Sequence, residues 1–271
     1  MPLSRTGRFH SRTTRNAGGR DPVSNPRIME SAWNLQYEKL GQSFGQMIPR
    51  KRGVLVEVGC GKGQLTIPLA RRVSGYQIVV VDNFQGPYSG SRMQLFSAIA
   101  RGRMKGRIKV VDSDYHAWLA RQPSSRYDGV VSSEFLPEIG ARDTRSFFAD
   151  CHRVTKRGGF TIHSFLSAKP RNARQRLLIE ADSDPRWTKT PPVEWFSPPN
   201  QLALRDLQKA GFNSVRLVKV KSGLIVSSNA ARRLLKEWEV KDAFWRTHRR
   251  TLEENGIEIP DWIIVKGTKR E

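Results

Sequence analysis

The chain has 271 residues, hydrophobic content of 38% and seven Trp, enough to bury the core of one α/β domain, with no apolar run of the length a membrane span needs. Net charge is +22, of which residues 1–28 carry +5, so the body of the protein is itself basic and suited to polyanionic partners such as RNA. Two cysteines, Cys60 and Cys151, lack zinc-ligand spacing and make a disulfide framework improbable, and the Arg-rich N-terminus lacks the apolar core of a secretory signal. These features set the expectation of a cytoplasmic protein without a metal site; they carry no sign of oligomeric state.

Residues 1–28 mix Arg with Ser, Thr, Gly and Pro and are read as a disordered basic tail. Residues 29–52 contain the first amphipathic helix, Glu30–Ile48, with Trp33, Tyr37, Leu40, Phe44 and Met47 at helical spacing. From residue 53 to 166 strands and helices alternate. Val54–Val58, Gln77–Val81, Ile108–Val111, Tyr127–Ser132 and Phe160–Ser164 read as buried strands. Gln64–Val73, Ser91–Ala100, His116–Ala120 and Thr144–Val154 read as the helices between them, and Lys156–Gly159 as a turn. This rhythm implies a parallel sheet with right-handed crossovers.

In residues 167–271 the pattern loosens. A helix over Arg174–Ala181 is followed by Ser183–Asn200, which carries five Pro among Trp and Phe residues. Gln201–Ala210 is a helix stopped by Gly211, Ser214–Val220 a sixth strand and Trp262–Lys266 a seventh. Between the last two strands, Asn229–Asn255 reads as one long basic helical stretch with Trp238 and Trp245 on one face.

The chemistry concentrates in Glu57-Val-Gly-Cys-Gly-Lys-Gly, between the first strand and the first helix of the alternating region. Gly59, Gly61 and Gly63, with Cys60 among them, let a ligand approach the backbone. A dinucleotide fingerprint would place its third glycine at Gln64, and Glu57 would repel a pyrophosphate but suits a cationic group. Asp82 ends the second strand, where a carboxylate can accept from both hydroxyls of a ribose. Asp112 and Asp114 follow the third strand, where an adenine would lie; Asp114 could accept from its exocyclic amine, with Tyr115 beside the ring. A ribose and adenine with a cationic tail describe S-adenosylmethionine.

The ordered segments Glu57–Gly63, Val81-Asp82, Val111–Asp114, Tyr127–Glu134 and Arg153–Gly159 resemble the class I S-adenosylmethionine-dependent methyltransferases. The resemblance implies an α/β fold: a seven-stranded, mostly parallel, doubly wound sheet with helices on both faces and an antiparallel last strand. It places the methionine part of the cofactor at Glu57, Gly59, Gly61 and Gly63, the ribose at Asp82, the adenine at Asp114 and Tyr115, and Ser133 near the methyl group. A general base, where the acceptor must lose a proton, would come from Glu134, His163, Ser164 or His116 near the sheet edge, of which Glu134 and His163 are preferred. Their bland alternatives are a helix cap for Glu134 and a satisfied core imidazole for His163.

For the acceptor, Ser132–Ile139 lacks the Asn/Asp-Pro-Pro-aromatic motif of base and glutamine amino-group methyltransferases, and neither cysteine lies directly after the fourth strand, where the resemblance would place a nucleophile for pyrimidine C5 methylation. The segment looks more like the broad group that methylates small molecules, and this resemblance implies a small-molecule acceptor under a lid built from the N-terminal helix and residues 171–200 and 229–255, whose aromatics Trp33, Tyr37, Trp187, Trp195, Phe196, Trp238 and Trp245 serve either a pocket or the core. RNA methylation is the rival, since Arg232, Arg233, Lys236, Lys241, Arg246, Arg249 and Arg250 share one segment. A non-catalytic RNA- or protein-binding scaffold on the same fold is a third reading.

Overall fold

A computed structural model describes residues 26–85, 91–187 and 200–271. The tail expected at 1–28 therefore lies almost wholly outside the described residues, as do Trp195 and Phe196. Strands β1 (Gly53–Val58), β2 (Tyr76–Asp82), β3 (Ile108–Asp112), β4 (Tyr127–Ser133) and β5 (Thr155–Leu166) are parallel. The sheet continues through β9 (Trp262–Thr268), which is antiparallel to both β5 and β6 (Asn213–Val220), in the order β3-β2-β1-β4-β5-β9-β6. The order reverses between β1 and β4, so the crevice for a ligand opens beyond the carboxyl ends of these strands.

Both faces are covered because the strands are apolar on both sides. On one face α1 (Pro26–Met47), α2 (Thr66–Arg72) and α3 (Ser91–Arg101) bring Leu40, Phe44, Leu69 and Leu95 onto Leu55, Ile78 and Ile162. On the other, α4 (Tyr115–Ala120), α5 (Leu136–Val154) and α7 (Asn200–Lys209) bring Leu119, Phe147, Phe148 and Leu207 onto Val56, Val130 and Val265. A third core joins α6 (Ala173–Ser183), α8 (Ser228–Glu237), α9 (Asp242–Asn255) and the two-residue ribbon β7 (Ile225–Val226) and β8 (Ile257–Glu258). Trp33 packs against both the first and third cores, which ties α1 to this added unit.

Three expectations are corrected. Lys156–Gly159 is not a free turn but a bulge inside β5: Tyr127 pairs with Thr155 and Gly129 with Phe160, while Gly158, at φ +69°, donates its N–H to Lys269 O. The helix expected at Thr144 begins at Leu136 and kinks at Gly140, whose carbonyl accepts from the Thr144 hydroxyl at 2.7 Å. The single helix expected over Asn229–Asn255 is two, because Glu239 turns to φ +55° and the chain folds back to bury Val240. Trp238 and Trp245 thus belong to different elements and pack on the third core, as Trp187 does.

Candidate active site

The glycine turn leaves β1 and is held by main-chain bonds. Gly59 donates to Val81 O at 2.9 Å and Gly63 to Cys60 O at 2.8 Å, and all three glycines have positive φ, +71°, +47° and +85°. A Cβ on Gly59 would lie 2.5 Å from Phe135 Cδ2, and one on Gly63 2.6 Å from Leu95 Cδ1. Gly61 alone of the three has nothing within 4 Å of that position. Two glycines are thus demanded by the protein's own packing, and the middle one presents bare backbone to open space.

Asp82 holds the turn from the next strand. Its Oδ2 accepts from the Gly61 N–H and its Oδ1 from the Phe84 N–H, each at 2.7 Å. Each carboxylate oxygen keeps a second lone pair, so the same group can still accept from a hydroxyl ligand. Ser113 N–H donates to Asp82 O at 3.0 Å and draws the end of β3 to the same edge.

Glu57 ends β1 beneath the turn, 1% exposed, and its Oε2 has no hydrogen-bond partner. Burial pushes its carboxyl up to about 8; the nearby Thr66 hydroxyl opposes the rise and the charge of Asp82 adds to it. A buried carboxyl with one unpartnered oxygen beside an open glycine backbone is chemically matched to a cation. Burial also raises the Cys60 thiol, with Glu57 and Asp82 adding their charges, which keeps it protonated and poorly nucleophilic.

Past β3 the candidates divide. Asp114 is exposed and caps α4, accepting from the Ala117 N–H at 2.9 Å. The Tyr115 ring packs edge-on against Phe135 and Phe147, with centroids 4.9 and 5.8 Å away, and so leans into the second core. Asp112 is engaged by Arg92 at 2.8 Å.

At the ends of β4 and β5, Ser164 Oγ donates to Ser133 Oγ at 2.8 Å. Glu134 sits at φ +56°, an uncommon conformation for a residue with a side chain, held by its N–H to Ser164 O and by its Oε1, which accepts from the Leu166 N–H at 2.8 Å. Burial pushes this carboxyl up to about 8 against the stabilising Leu166 N–H, and the charges of Glu138 and of Asp182 on α6 add to the rise. Asp182 is itself raised to about 6 by burial.

His163 is removed from the candidate bases. It is 0% exposed, packed between Phe147 and Phe148, and burial holds its imidazole down at about 3. Thr161 donates its hydroxyl to Val130 O, so the ring donates from Nε2 to Thr161 at 2.5 Å and accepts at Nδ1 from Ser132 at 2.8 Å. Both ring nitrogens are spent inside the core. His116 is exposed on α4, 3.7 Å from Asp150.

Sequence reasoning missed Phe84, Phe135, Leu166 and Asp182. Phe84 and Leu166 act through their main-chain N–H groups, which leave no side-chain signal. Phe135 and Asp182 reach the site only through the tertiary placement of α5 and α6, the latter in the third core.

Residues 55–159 match a methyltransferase domain family. No curated protein matches the chain. Among solved structures, a cyclopropane-fatty-acyl-phospholipid synthase-like protein from Lactobacillus casei is similar at TM-score 0.65 and 15% identity, over 91% of this chain and 94% of that one. An O-methyltransferase family protein from Burkholderia thailandensis aligns at TM-score 0.56 and 13% identity, over 92% of this chain and 62% of that one. Phosphoethanolamine N-methyltransferase 2 of Haemonchus contortus, in complex with phosphomonomethylethanolamine and S-adenosylhomocysteine, aligns at TM-score 0.55 and 13% identity, over 92% and 59%.

Proposed function

We propose that this chain, which is a class I S-adenosylmethionine-dependent methyltransferase, methylates a small-molecule nucleophile bound between the ends of β4 and β5 and helix α6. The observation that carries this reading is Glu134: a half-buried carboxyl in strained backbone, fixed by the Leu166 N–H, with the charges of Glu138 and of Asp182 on α6 adding to its rise. Desolvation is the first cause of the rise at both Glu134 and Asp182, and a place shielded from water to that degree suits a small molecule.

The residues fit the methyl donor. The Glu57 carboxyl, with its unpartnered oxygen, would meet its cationic end, the open Gly61 backbone its methionine part and the Asp82 carboxylate its ribose. Gly59, Cys60 and Gly63 would shape the turn beneath it, Asp114 and Tyr115 would flank the adenine, and Ser133 would sit near the transferred methyl. When bound, the donor supplies a methyl group already activated on a sulfonium. What remains for the protein is to orient the acceptor, exclude water and take up the proton of a nitrogen or oxygen nucleophile, which the ionised Glu134 does. The related folds carry names that include both N- and O-methyltransferases, so the fold leaves the acceptor atom open.

In this reading residues 53–166 bind the donor, while 29–52 and 167–271 cover the acceptor. Both cysteines are buried and unbridged, consistent with a reducing, cytoplasmic setting. RNA is the second reading, favoured by the net charge of +22. Incubation of the protein with methyl-labelled donor, total RNA and a metabolite extract of the source cells separates the two. Label in small molecules, lost on Glu134→Gln, is the expected result; label in RNA alone overturns the proposal.

A further inference from the structure

At the opposite end of the sheet, where β1 and β2 begin, the chain forms a groove of about 840 Å³ between the ends of α1 and α2. Arg50, Lys51, Arg52 and Arg72 line it, and none of its lining residues is acidic. Its geometry is set by glycine: a Cβ on Gly45 would stand 2.7 Å from Arg72 Cβ, and one on Gly75 2.6 Å from Lys51 O, so α1 lies against the Arg72 stem and the two loops nearly touch.

Helix ends and loop carbonyls would ordinarily repel an anion from such a place. Here they are occupied by donors. Lys266 Nζ binds Met47 O at 2.7 Å, the Tyr76 hydroxyl binds Pro49 O at 3.0 Å, Arg107 binds Val73 O at 2.7 Å, and Gly53 N–H binds Gly75 O. Of the cations, Lys51 is 3.3 Å from Asp128 and Arg72 is 3.7 Å from Glu38. Arg50 and Arg52 are exposed and form no ion pair among the described residues.

On the basic helices α8 and α9 part of the positive charge is already engaged. Arg249 and Arg250 are paired with Glu253 and Glu254 at 2.8 and 2.9 Å, and Lys241 donates to the carbonyls of Pro185 and Arg186. Arg50 and Arg52 thus add unpaired positive charge to Lys51 and Arg72 along one groove, which is open to solvent and much larger than a single phosphate.

We propose that this groove holds the phosphate backbone of RNA, with Arg50 and Arg52 as the principal contacts. It lies about 20 Å from the glycine turn, the length of β1, so it is a docking surface separate from the methyl-transfer site.

The test measures binding of a fluorescent 20-nucleotide oligouridine to the full chain across a salt series. Each phosphate contact adds about 0.7 to the log–log salt slope for a single strand, so R50A/R52A should lower the slope by about 1.4 and weaken binding about tenfold or more at 0.1 M salt. The control R249A/R250A should leave both values unchanged, and any contribution from the Arg-rich tail is common to all three proteins. An unchanged slope in R50A/R52A, an equal loss in the control, or binding of pyrophosphate without binding of the oligouridine would each overturn the proposal. Circular dichroism melting of R50A/R52A should match the parent, since neither side chain is buried or paired.

Discussion

Asp82 Oδ2 accepts the Gly61 N–H at 2.7 Å, so the carboxylate at the end of β2 and the most open backbone of the glycine turn are joined before any ligand arrives. Both oxygens serve the main chain, the second through Phe84, and the carboxylate is thereby fixed in place beside the turn.

Asp82→Ala should therefore cost twice. A hydrogen bond to a charged group contributes about 1.5 to 3 kcal/mol, so donor affinity should fall roughly 10- to 100-fold, and the turn should loosen as well. Calorimetric titration reads the first effect and thermal melting the second. Unchanged affinity would refute the assignment of Asp82 to the ribose.

Gly59→Ala and Gly61→Ala should part company. The first adds a Cβ 2.5 Å from Phe135 at φ +71°, and overpacking with left-handed strain should cost about 2 to 5 kcal/mol. The second meets no protein atom and should cost only the strain, about 1 to 2 kcal/mol, yet lose donor binding. Melting curves beside binding isotherms check the pair; equal destabilisation would show that Gly61 is also structural.

The Glu57 carboxyl, raised to about 8, is largely neutral at pH 7 and must ionise to meet a cation. Donor affinity should rise about tenfold between pH 7 and pH 9 and then level, and Glu57→Gln should remove the dependence. The stability effect has the opposite sign. A folded value above the unfolded one means that native stability contributed by this group is present below about 4.5 and lost as pH climbs to about 8, so Glu57→Gln should gain on the parent across that window and hold its gain above it. Titrations and melts at stepped pH measure both.

His163→Ala should destabilise without moving the pH profile of methyl transfer. It would leave Ser132 without its partner and Thr161 without a donor in a dry interior, at about 1 to 3 kcal/mol for each unsatisfied group. An acid limb of the kcat profile that shifts in this variant would restore His163 to the site.

The sheet and the glycine turn were legible in the sequence because they depend on local signals. Apolar runs mark strands buried on both faces, and the glycines must occupy left-handed backbone wherever the turn occurs. Glu57 could be singled out for its charge, but its missing partner and raised carboxyl follow from packing that no motif encodes. The division of residues 229–255 into two helices turned on Val240, whose burial against Leu235 and the third core outweighs the helical preference of its neighbours.

The same contrast separates the two preferred bases. Glu134 and His163 both stand near a strand end and neither is distinguished by its neighbours in sequence. Tertiary structure hung Glu134 on the Leu166 N–H opposite Asp182 and enclosed His163 between Phe147 and Phe148. Sequence alone determined which residues could do chemistry, since side-chain type and strand position are local. Only the folded chain decided which of them remain exposed to a reactant, because desolvation and hydrogen-bond partners come from segments far apart in the sequence.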